Sequence, residues 1–517
     1  MTPEHPKVNP WIIAIAVMGA TFLEVLDTTV VNVSLPHIGG SLSATVTEAT
    51  WVLTSYLVAN AIVLPITGWL ANHVGRKRLL LASVAGFTIS SFFCGFATSL
   101  PMLIVFRIFQ GAAGGSLQPL SQAVLLEAFP EDQRGKAMGF WGLGIVVAPI
   151  LGPVLGGWLT DNYSWRWVFY INIPIGVMAT MMIRAYVFDP AYIKRGKGGI
   201  DYWGIGLLAV GIGALQIVLD KGQQEDWLSS RFITMTIIIS VVALIFFLVR
   251  ELSTEHPVVD LRVFKDRTFA AGTTLMTVMG FVLYGSLVLL PIWLQTLLGY
   301  PALQAGIAMA PRGIGAFVAM PLVGAFLGKY DARKFLASGL VVAAATLIGF
   351  SRLSLEAGYW DFFWPQFVQG LSLALLFVPL TTISMGRIPR ERMGNATSVF
   401  NLLRNVGGSI GIAGVATMVE RFQQGATNNL VAHISPLQPQ AMQRFQLLQH
   451  GMVAQGSSQL LAKSQSAAIM FGMVERQAAI VSYVYTFRIL AVMFLALIPL
   501  VLLMRRPAKT AERVAAH

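Results

Sequence analysis

RIFQG at residues 107–111 is matched by QFVQG at residues 366–370, which begins 259 positions later in the chain. At the same offset, PEDQRGKA (residues 130–137) is matched by PRERMGNA (residues 389–396), and Gly152 is matched by Gly411. A register shared by three segments indicates that the two halves of the chain are related. Two related halves packed around a cavity at the midplane of a bilayer are a common construction in transporters, so the repeat predicts that architecture.

The composition around this repeat is that of a membrane protein. Of the 517 residues, 55% are hydrophobic and 12% are charged, whereas an ordinary soluble domain carries about 25% charged residues. A membrane-spanning helix needs about 20 apolar residues. The sequence therefore predicts an all-α polytopic protein with fourteen spans, at about residues 12–35, 50–71, 79–98, 102–126, 137–160, 166–186, 202–219, 232–250, 269–295, 302–327, 335–352, 362–386, 396–419 and 481–504. The first run is interpreted as a retained helix and not as a cleaved signal peptide.

The positive charges support this topology. With both termini placed in the cytoplasm, 24 of the 36 Lys and Arg residues fall on the cytoplasmic side, including the clusters Arg76–Arg78, Lys194–Lys197 and Arg505–Arg506. Such a bias is the usual mark of membrane orientation. The net charge of +12 is thereby explained by membrane orientation and requires no nucleic-acid partner.

The sequence has a single cysteine, Cys94, so an intramolecular disulfide is excluded. It also contains no metal-ligand cluster and no phosphate-binding loop.

The first predicted helix carries two carboxylates, which are costly within a membrane and point to function. At 100° per residue, Glu24, Asp27, Thr28 and Asn32 share one polar face. Arg107 lies at a similar depth in the fourth helix, so we expect it to interact with these acids. Because burial and a nearby cation shift the pKa of a carboxyl group in opposite directions, the cluster Glu24, Asp27 and Arg107 is a candidate proton-coupling site. The alternative is a structural ion pair between the two helices.

Several further polar residues are candidates for a substrate cavity. Arg312 is predicted near mid-membrane, where it serves either to attract an anionic group or to bond to backbone carbonyls. Arg404 is predicted near a helix end, where a long side chain can reach the interface. The complete set of cavity candidates is Thr28, Asn32, Gln110, Gln118, Arg312, Gln366 and Gln369.

Two glycine-rich segments are interpreted as conformational elements. In the fifth helix, Gly144, Gly152 and Gly156 allow a neighbouring helix to approach closely, and Pro149 and Pro153 bend the helix. This pattern suits a bending or sealing element between the halves, with ordinary tight packing as the alternative. Between the second and third helices, Gly68 and Gly75 make a tight turn, and Arg76 anchors it at the anionic leaflet.

A polar stretch, residues 421–480, separates the last two predicted spans. It holds eleven glutamines and few charges, with apolar residues at helical spacing around Met442 and Phe445. We expect amphipathic helices here, on the outer side of the membrane. They form either a docking surface or a solvated cap.

These motifs resemble those of the major facilitator superfamily, in particular its fourteen-helix drug:proton antiporters. The loop at residues 68–78, the Arg107 and Gln110 motif, the glycines of the fifth helix and the stretches at residues 26–36, 165–176 and 404–411 carry the resemblance. The loop departs from the family pattern at Asn72, where the family has an acid. A latch built on an acid at this position therefore lacks its carboxylate in this chain.

The resemblance implies a proton-driven exporter of hydrophobic or amphipathic drugs in the bacterial inner membrane, with no cofactor beyond the proton gradient. It implies an N-terminal six-helix bundle (residues 1–186), a linker with two extra spans (187–268) and a C-terminal six-helix bundle (269–517). It further implies a periplasmic membrane-fusion adaptor of the EmrA type at residues 421–480 and, through it, an outer-membrane channel of the TolC type. The rival interpretations are a dedicated exporter of one endogenous amphipathic metabolite, such as a fatty acid, bile salt or siderophore, and a membrane enzyme or sensor that has adopted the fold.

Overall fold

The computed structural model describes residues 9–189, 201–254, 257–327, 329–432, 434 and 438–504. Over these residues the regular secondary structure is helical and includes no β-strand. Fourteen of the helices there are long and apolar enough to cross a membrane, which confirms the predicted number. The basic clusters Lys194–Lys197 and Arg505–Arg506 lie outside the described residues.

The helices are numbered here in chain order. They are α1 (Pro10–Ser41), α2 (Trp51–Val74), α3 (Arg76–Phe96), α4 (Leu100–Ala128), α5 (Arg134–Asn162), α6 (Trp167–Tyr186), α7 (Tyr202–Lys221), α8 (Arg231–Ser253), α9 (Arg267–Leu297), α10 (Ala302–Phe326), α11 (Ala332–Phe350), α12 (Tyr359–Met385), α13 (Met393–Ala432), α14 (Pro439–Ala454) and α15 (Gln459–Leu503). All except α14 are candidate membrane spans.

The membrane helices pack as two groups. Helices α1–α6 pack mainly on one another, and α9–α13 with α15 form the second group. The groups meet along α5 against α10 and along α2 against α13. Both crossings are close: a Cβ added to Gly139 would lie 2.6 Å from the carbonyl oxygen of Met320, and one added to Gly68 would lie 2.6 Å from Cα of Asn395.

Helices α7 and α8 form a pair beside these two groups. Ser240 of α8 donates a hydrogen bond to the carbonyl oxygen of Gly211 in α7 (2.9 Å). Helix α7 also packs on α2 and on α13, so it contacts both groups. Its polar contacts with α13 include a 3.1 Å hydrogen bond from Ser409 to Gln216.

The last two spans do not end where the hydropathy pattern ends. Helix α13 has 40 residues and the α15 span has 45, whereas the hydrocarbon core requires about 20. At 1.5 Å per residue, the residues beyond that number add about 30 Å to the length of α13 and about 38 Å to that of α15. Glutamine is a good helix former, so the polar stretch continues the helices. We call the described parts of residues 421–480, which include α14 packed on α15, the outer bundle.

Candidate functional site

The centre of the first helical group is an ion pair between α1 and α4. Arg107 Nη1 lies 2.5 Å from Asp27 Oδ2, and both side chains are fully buried. Arg107 Nε donates to the carbonyl oxygen of Val52 at 3.0 Å, and the guanidinium lies over the Tyr56 ring, 4.1 Å from its centroid. The interaction predicted from matching depths is present, and Arg107 also joins both helices to α2.

Amide side chains satisfy the second oxygen of the same carboxylate. Asp27 Oδ1 accepts hydrogen bonds from Gln110 Nε2 (3.0 Å) and from Asn172 Nδ2 (2.8 Å). Gln110 therefore lies in the ion-pair network and not on a cavity wall. The sequence motifs do not mark Asn172 of α6 as a site residue, although a polar residue within an apolar helix is a signal for one. Both oxygens of Asp27 thus have partners on α4 and α6. Asn172 also donates to Ser91 Oγ of α3 (3.1 Å), so these hydrogen bonds join four helices, α1, α3, α4 and α6.

Glu24, one turn earlier on α1, has different surroundings. It is 4% exposed, and its Oε1 accepts one hydrogen bond, from Asn60 Nδ2 of α2 at 2.9 Å. Its Oε2 is buried and has no hydrogen-bond partner among the residues that the structure describes. Gln118 of α4 and Arg404 of α13 lie near enough to act on this carboxylate. The two acids of α1 therefore differ: Asp27 is fully paired, and Glu24 is not.

Arg404 connects this region to the second group of helices. It is 3% exposed and donates a hydrogen bond to Gln118 Oε1 of α4. Because α13 begins at Met393 and continues to Ala432, Arg404 is buried well inside the helix. The expectation that it reaches out to the interface from a helix end is therefore wrong. Its side chain crosses between the two groups.

A small cavity lies between the groups, beside Arg404. Its free volume is about 50 Å³, room for a few water molecules. The wall is apolar apart from Arg312, Arg404 and the Tyr284 side chain, and its other residues are Ile145, Val146, Pro149, Ile150, Met279, Gly280, Leu283, Leu287, Leu373 and Phe377. In this arrangement the groups lie close together, and the cavity is too small for a drug-sized molecule.

The remaining cavity candidates lie elsewhere. Gln118 bonds to Arg404, Thr28 donates to the carbonyl oxygen of Val25 (2.8 Å), and Asn32 is exposed. Gln366 and Gln369 are buried in α12. Of the seven predicted residues, Arg312 alone lines this cavity in the described structure. Arg312 has no ion-pair partner among the described side chains.

Comparison with known proteins agrees with this architecture. The family model for the Major Facilitator Superfamily matches residues 17–412. This chain belongs to that superfamily. It is 39% identical over 500 residues to the multidrug export protein EmrB of Escherichia coli strain K12, a match that covers 96% of this chain and 95% of that protein. It is also 39% identical to the fatty acid resistance protein FarB of Neisseria gonorrhoeae, over 94% of both chains.

Solved structures of this superfamily share the fold. The human organic anion transporter MFSD10 superposes with a TM-score of 0.60 at 11% identity and covers 96% of this chain and all of its own. The proton:xylose symporter XylE gives 0.56 at 15% identity, with 91% and 94% covered. The chain is therefore a multi-pass membrane transporter of the Major Facilitator Superfamily and resembles EmrB-type multidrug exporters.

In this transporter, the three predicted glycines of α5 pack against α1. A Cβ on Gly152 would lie 2.0 Å from Thr29 Oγ1, one on Gly156 2.7 Å from the carbonyl oxygen of Val30, and one on Gly144 3.0 Å from Cγ of Met18. The predicted close approach is present, but its partner is α1, within the same group. A different face of α5, with Gly139, meets α10. Pro149 lines the cavity, and Pro153 is exposed.

The turn between α2 and α3 is built on Gly75 and Arg76. Gly75 has φ = 98°, a conformation that favours glycine. Gly68 lies inside α2, so the prediction that it helps to make the turn is wrong. Arg76 is buried and forms an ion pair with Glu127 at the end of α4, so the prediction that it anchors at the anionic leaflet is also wrong. Asn72 is half-buried. Arg76 thus pairs with a carboxylate from α4, a partner that the loop motif alone does not indicate. Arg76 Nη2 also donates to the carbonyl oxygen of Arg390, across the two groups (3.3 Å).

Proposed function

We propose that this chain is a proton-coupled antiporter that exports hydrophobic or amphipathic drugs across the bacterial inner membrane by alternating access. The observation that carries the proposal is the difference between the two acids of α1. Asp27 has a partner at each oxygen, and Glu24 keeps one buried oxygen that accepts no hydrogen bond from the described part of the chain. A buried ionisable group in a membrane helix is a functional candidate by default.

Glu24 is the proton carrier in this proposal. A charged carboxylate that is buried and incompletely bonded is costly, and a proton on Oε2 removes that charge. Asp27 is held by Arg107 and serves as the fixed part of the site. The proposal therefore separates the two predicted roles, a structural ion pair and a proton site, between two residues one turn apart.

Arg404 supplies the link between proton and substrate. It acts on Glu24 from the second helical group and also lines the cavity between the groups. When Glu24 is charged, its attraction to Arg404 favours the arrangement in which the groups lie together. When Glu24 is protonated, the attraction is lost and the groups can separate. A molecule that enters the cavity then competes for Arg404.

The substrate range rests on the cavity wall and on the relatives. An apolar wall suits hydrophobic molecules, and EmrB, a 39% identical relative, is named a multidrug export protein. The alternative is a dedicated exporter of a single endogenous amphipathic metabolite. Arg312 and Arg404 in the wall favour an anionic group on such a molecule, and another relative is named a fatty acid resistance protein.

The outer bundle supports a role in a larger assembly. Helices α13 and α15 are longer than a membrane crossing requires by about 30 Å and about 38 Å, more than a connection between two helices needs. We infer that a periplasmic membrane-fusion adaptor of the EmrA type contacts this bundle and leads to an outer-membrane channel of the TolC type. Cross-linking from exposed positions of α14, such as Leu447, tests this contact, with exposed Tyr202 of α7 as the matched negative position. Equal capture of the adaptor from both positions contradicts it.

Proton coupling is tested by reconstitution. The purified protein is placed in liposomes with a pH-sensitive dye inside, and hydrophobic and amphipathic compounds are added. We expect compound-dependent proton movement that is lost in Glu24→Gln, with the variant still folded. If no compound moves protons in the unaltered protein, or if Glu24→Gln moves them equally well, the antiport proposal fails.

A further inference from the structure

The outer bundle contains a cavity of its own, remote from the one between the helical groups. It lies among α13, α14 and α15 and has a volume of about 450 Å³. Pockets for drug-sized ligands measure about 300–1,000 Å³. Among the described residues this cavity is larger than the one beside Arg404, which has about 50 Å³. We call it the outer groove.

The lining of the outer groove is apolar with one cation. Met442 and Phe445 of α14 face Met470 and Phe471 of α15, and Lys463 is the one charged side chain among the described lining residues. Methionine side chains are flexible and polarisable, and surfaces rich in them bind ligands of varied shape. Lys463 has no ion-pair partner among the described side chains, so its charge is available to a ligand.

The charged residues around the outer groove are mostly cationic, like Lys463. Between residues 421 and 480 the sequence has four cationic side chains, Arg421, Arg444, Lys463 and Arg476, and one acid, Glu475. A surface with this excess raises the local concentration of anions. An apolar cavity next to an available ammonium group selects a molecule with a long apolar body and one negative head.

We propose that the outer groove binds single amphipathic anions, of the long-chain carboxylate class, with the chain among Met442, Phe445, Met470 and Phe471 and the carboxylate at Lys463. The site lies on the extension of α13, the helix that carries Arg404 at the inner cavity. It therefore receives molecules that have left the membrane region. Only the direction of this movement rests on the proposed export function. Binding in the outer groove does not depend on proton coupling.

A protein segment is the competing occupant of the groove. A specific protein interface buries about 800 Å² on each partner, whereas the groove is a concavity of ligand size whose walls come from three helices of the same chain. Its size and its single cation favour a small molecule. The same experiment distinguishes the two.

The test uses the full-length protein in lipid nanodiscs. The probe is a sixteen-carbon fatty acid with a diazirine on its chain, and its adducts are mapped to peptides by mass spectrometry. We expect adducts on α14 and on residues 459–474 of α15. Unlabelled palmitate should compete, and methyl palmitate, which has the same chain without the charge, should compete several-fold less well. Adducts in α1–α6 serve as the internal reference for probe dissolved in lipid.

Charge variants identify the role of Lys463. Lys463→Glu should reduce labelling of the groove about five-fold, since it removes an attraction to the carboxylate and adds a repulsion at a solvent-exposed position. Arg444→Glu makes the same change in net charge at an exposed residue of α14 that does not line the groove, and should leave labelling within about two-fold. Ala467→Trp, which fills the groove, should remove labelling.

The proposal is overturned by an absence of adducts in the outer bundle, by equal competition from palmitate and its methyl ester, or by equal effects of Lys463→Glu and Arg444→Glu. If Ala467→Trp abolishes capture of a purified adaptor but leaves labelling unchanged, the groove is a protein-docking surface, and the proposal is again overturned. Labelling in Glu24→Gln should equal that of the unaltered protein, so failure of the antiport proposal does not affect this result.

Discussion

Arg404 of α13 donates a hydrogen bond to Gln118 of α4, and both side chains are buried between the two groups of helices. One turn away on each helix, Asn401 Nδ2 donates to Gln122 Oε1 at 2.6 Å. Two consecutive turns of α13 are thus bonded to α4. This polar seam joins α13 to α4 beside the cavity that Arg404 lines, and the proposed alternating access requires it to open and close.

The seam predicts the effect of Arg404→Gln. The shorter neutral side chain loses the charged hydrogen bond to Gln118, worth about 1.5–3 kcal/mol, so we expect transport to fall about ten-fold or more. Anionic compounds should be affected more than cationic ones, because the cavity loses a positive charge. The measurement is initial transport rate in liposomes. Arg488→Gln, an exposed arginine on α15, is the matched control, and an equal loss there contradicts the assignment.

The two acids of α1 should respond differently to neutralisation. Asp27→Asn leaves Arg107 buried without its counter-charge, and breaking a buried pair costs about 3–5 kcal/mol. We therefore expect a clear drop in melting temperature together with loss of transport. Glu24→Gln keeps an acceptor for Asn60 and removes no ion pair, so we expect nearly unchanged melting and loss of proton movement. Equal melting of the two variants contradicts this division.

The sequence predicts much of this architecture and less of the site. Hydropathy alone yields the fourteen spans, because each must contain about 20 apolar residues. The pairing of Asp27 with Arg107 follows from depth in the membrane. The partners Asn60 and Asn172 do not, because a contact between two helices depends on how each helix is rotated about its axis. The prediction that Arg404 reaches the interface is wrong for a related reason. Hydropathy places Arg404 near the start of a span that begins at residue 396, but it carries no information on the neighbouring helix that buries the side chain.

Glycine spacing in α5 shows the same limit. It predicts a close helix neighbour, and one is present, but the spacing carries no information on which helix it is. Packing places Gly152 against Thr29 of α1 and a different face of α5 against α10. The loop after α2 shows the same limit of sequence motifs. The motif has Asn72 where the family has an acid, and the fold supplies Glu127 to Arg76 from a distant part of the sequence.

The ion pair of Arg76 with Glu127 makes a prediction about stability. Both side chains are nearly inaccessible, with 1% and 8% of their surfaces exposed, so Glu127→Gln breaks a buried ion pair and removes the carboxylate charge that α4 supplies to Arg76. We expect a loss of about 3–5 kcal/mol in stability, seen as a lower melting temperature in nanodiscs. Glu131→Gln is the control, since Glu131 is 58% exposed and 3.9 Å from Arg134, and exposed pairs contribute about 0–1 kcal/mol. Similar melting of the two variants contradicts the role of Glu127.

The contact of Gly68 with α13 predicts a conformational effect. A Cβ at Gly68 would lie 2.6 Å from Cα and 2.7 Å from the backbone nitrogen of Asn395. Backbone atoms cannot move aside as a flexible side chain can, so Gly68→Ala should keep α2 and α13 apart at the end of α2, which is predicted to be cytoplasmic. We expect spin labels at the ends of these helices to show longer distances and transport to fall because this side no longer closes. Gly206→Ala, where an added Cβ meets nothing within 4 Å, should change neither measurement. Unchanged distances in Gly68→Ala, with transport intact, contradict the view that this contact closes the transporter on that side.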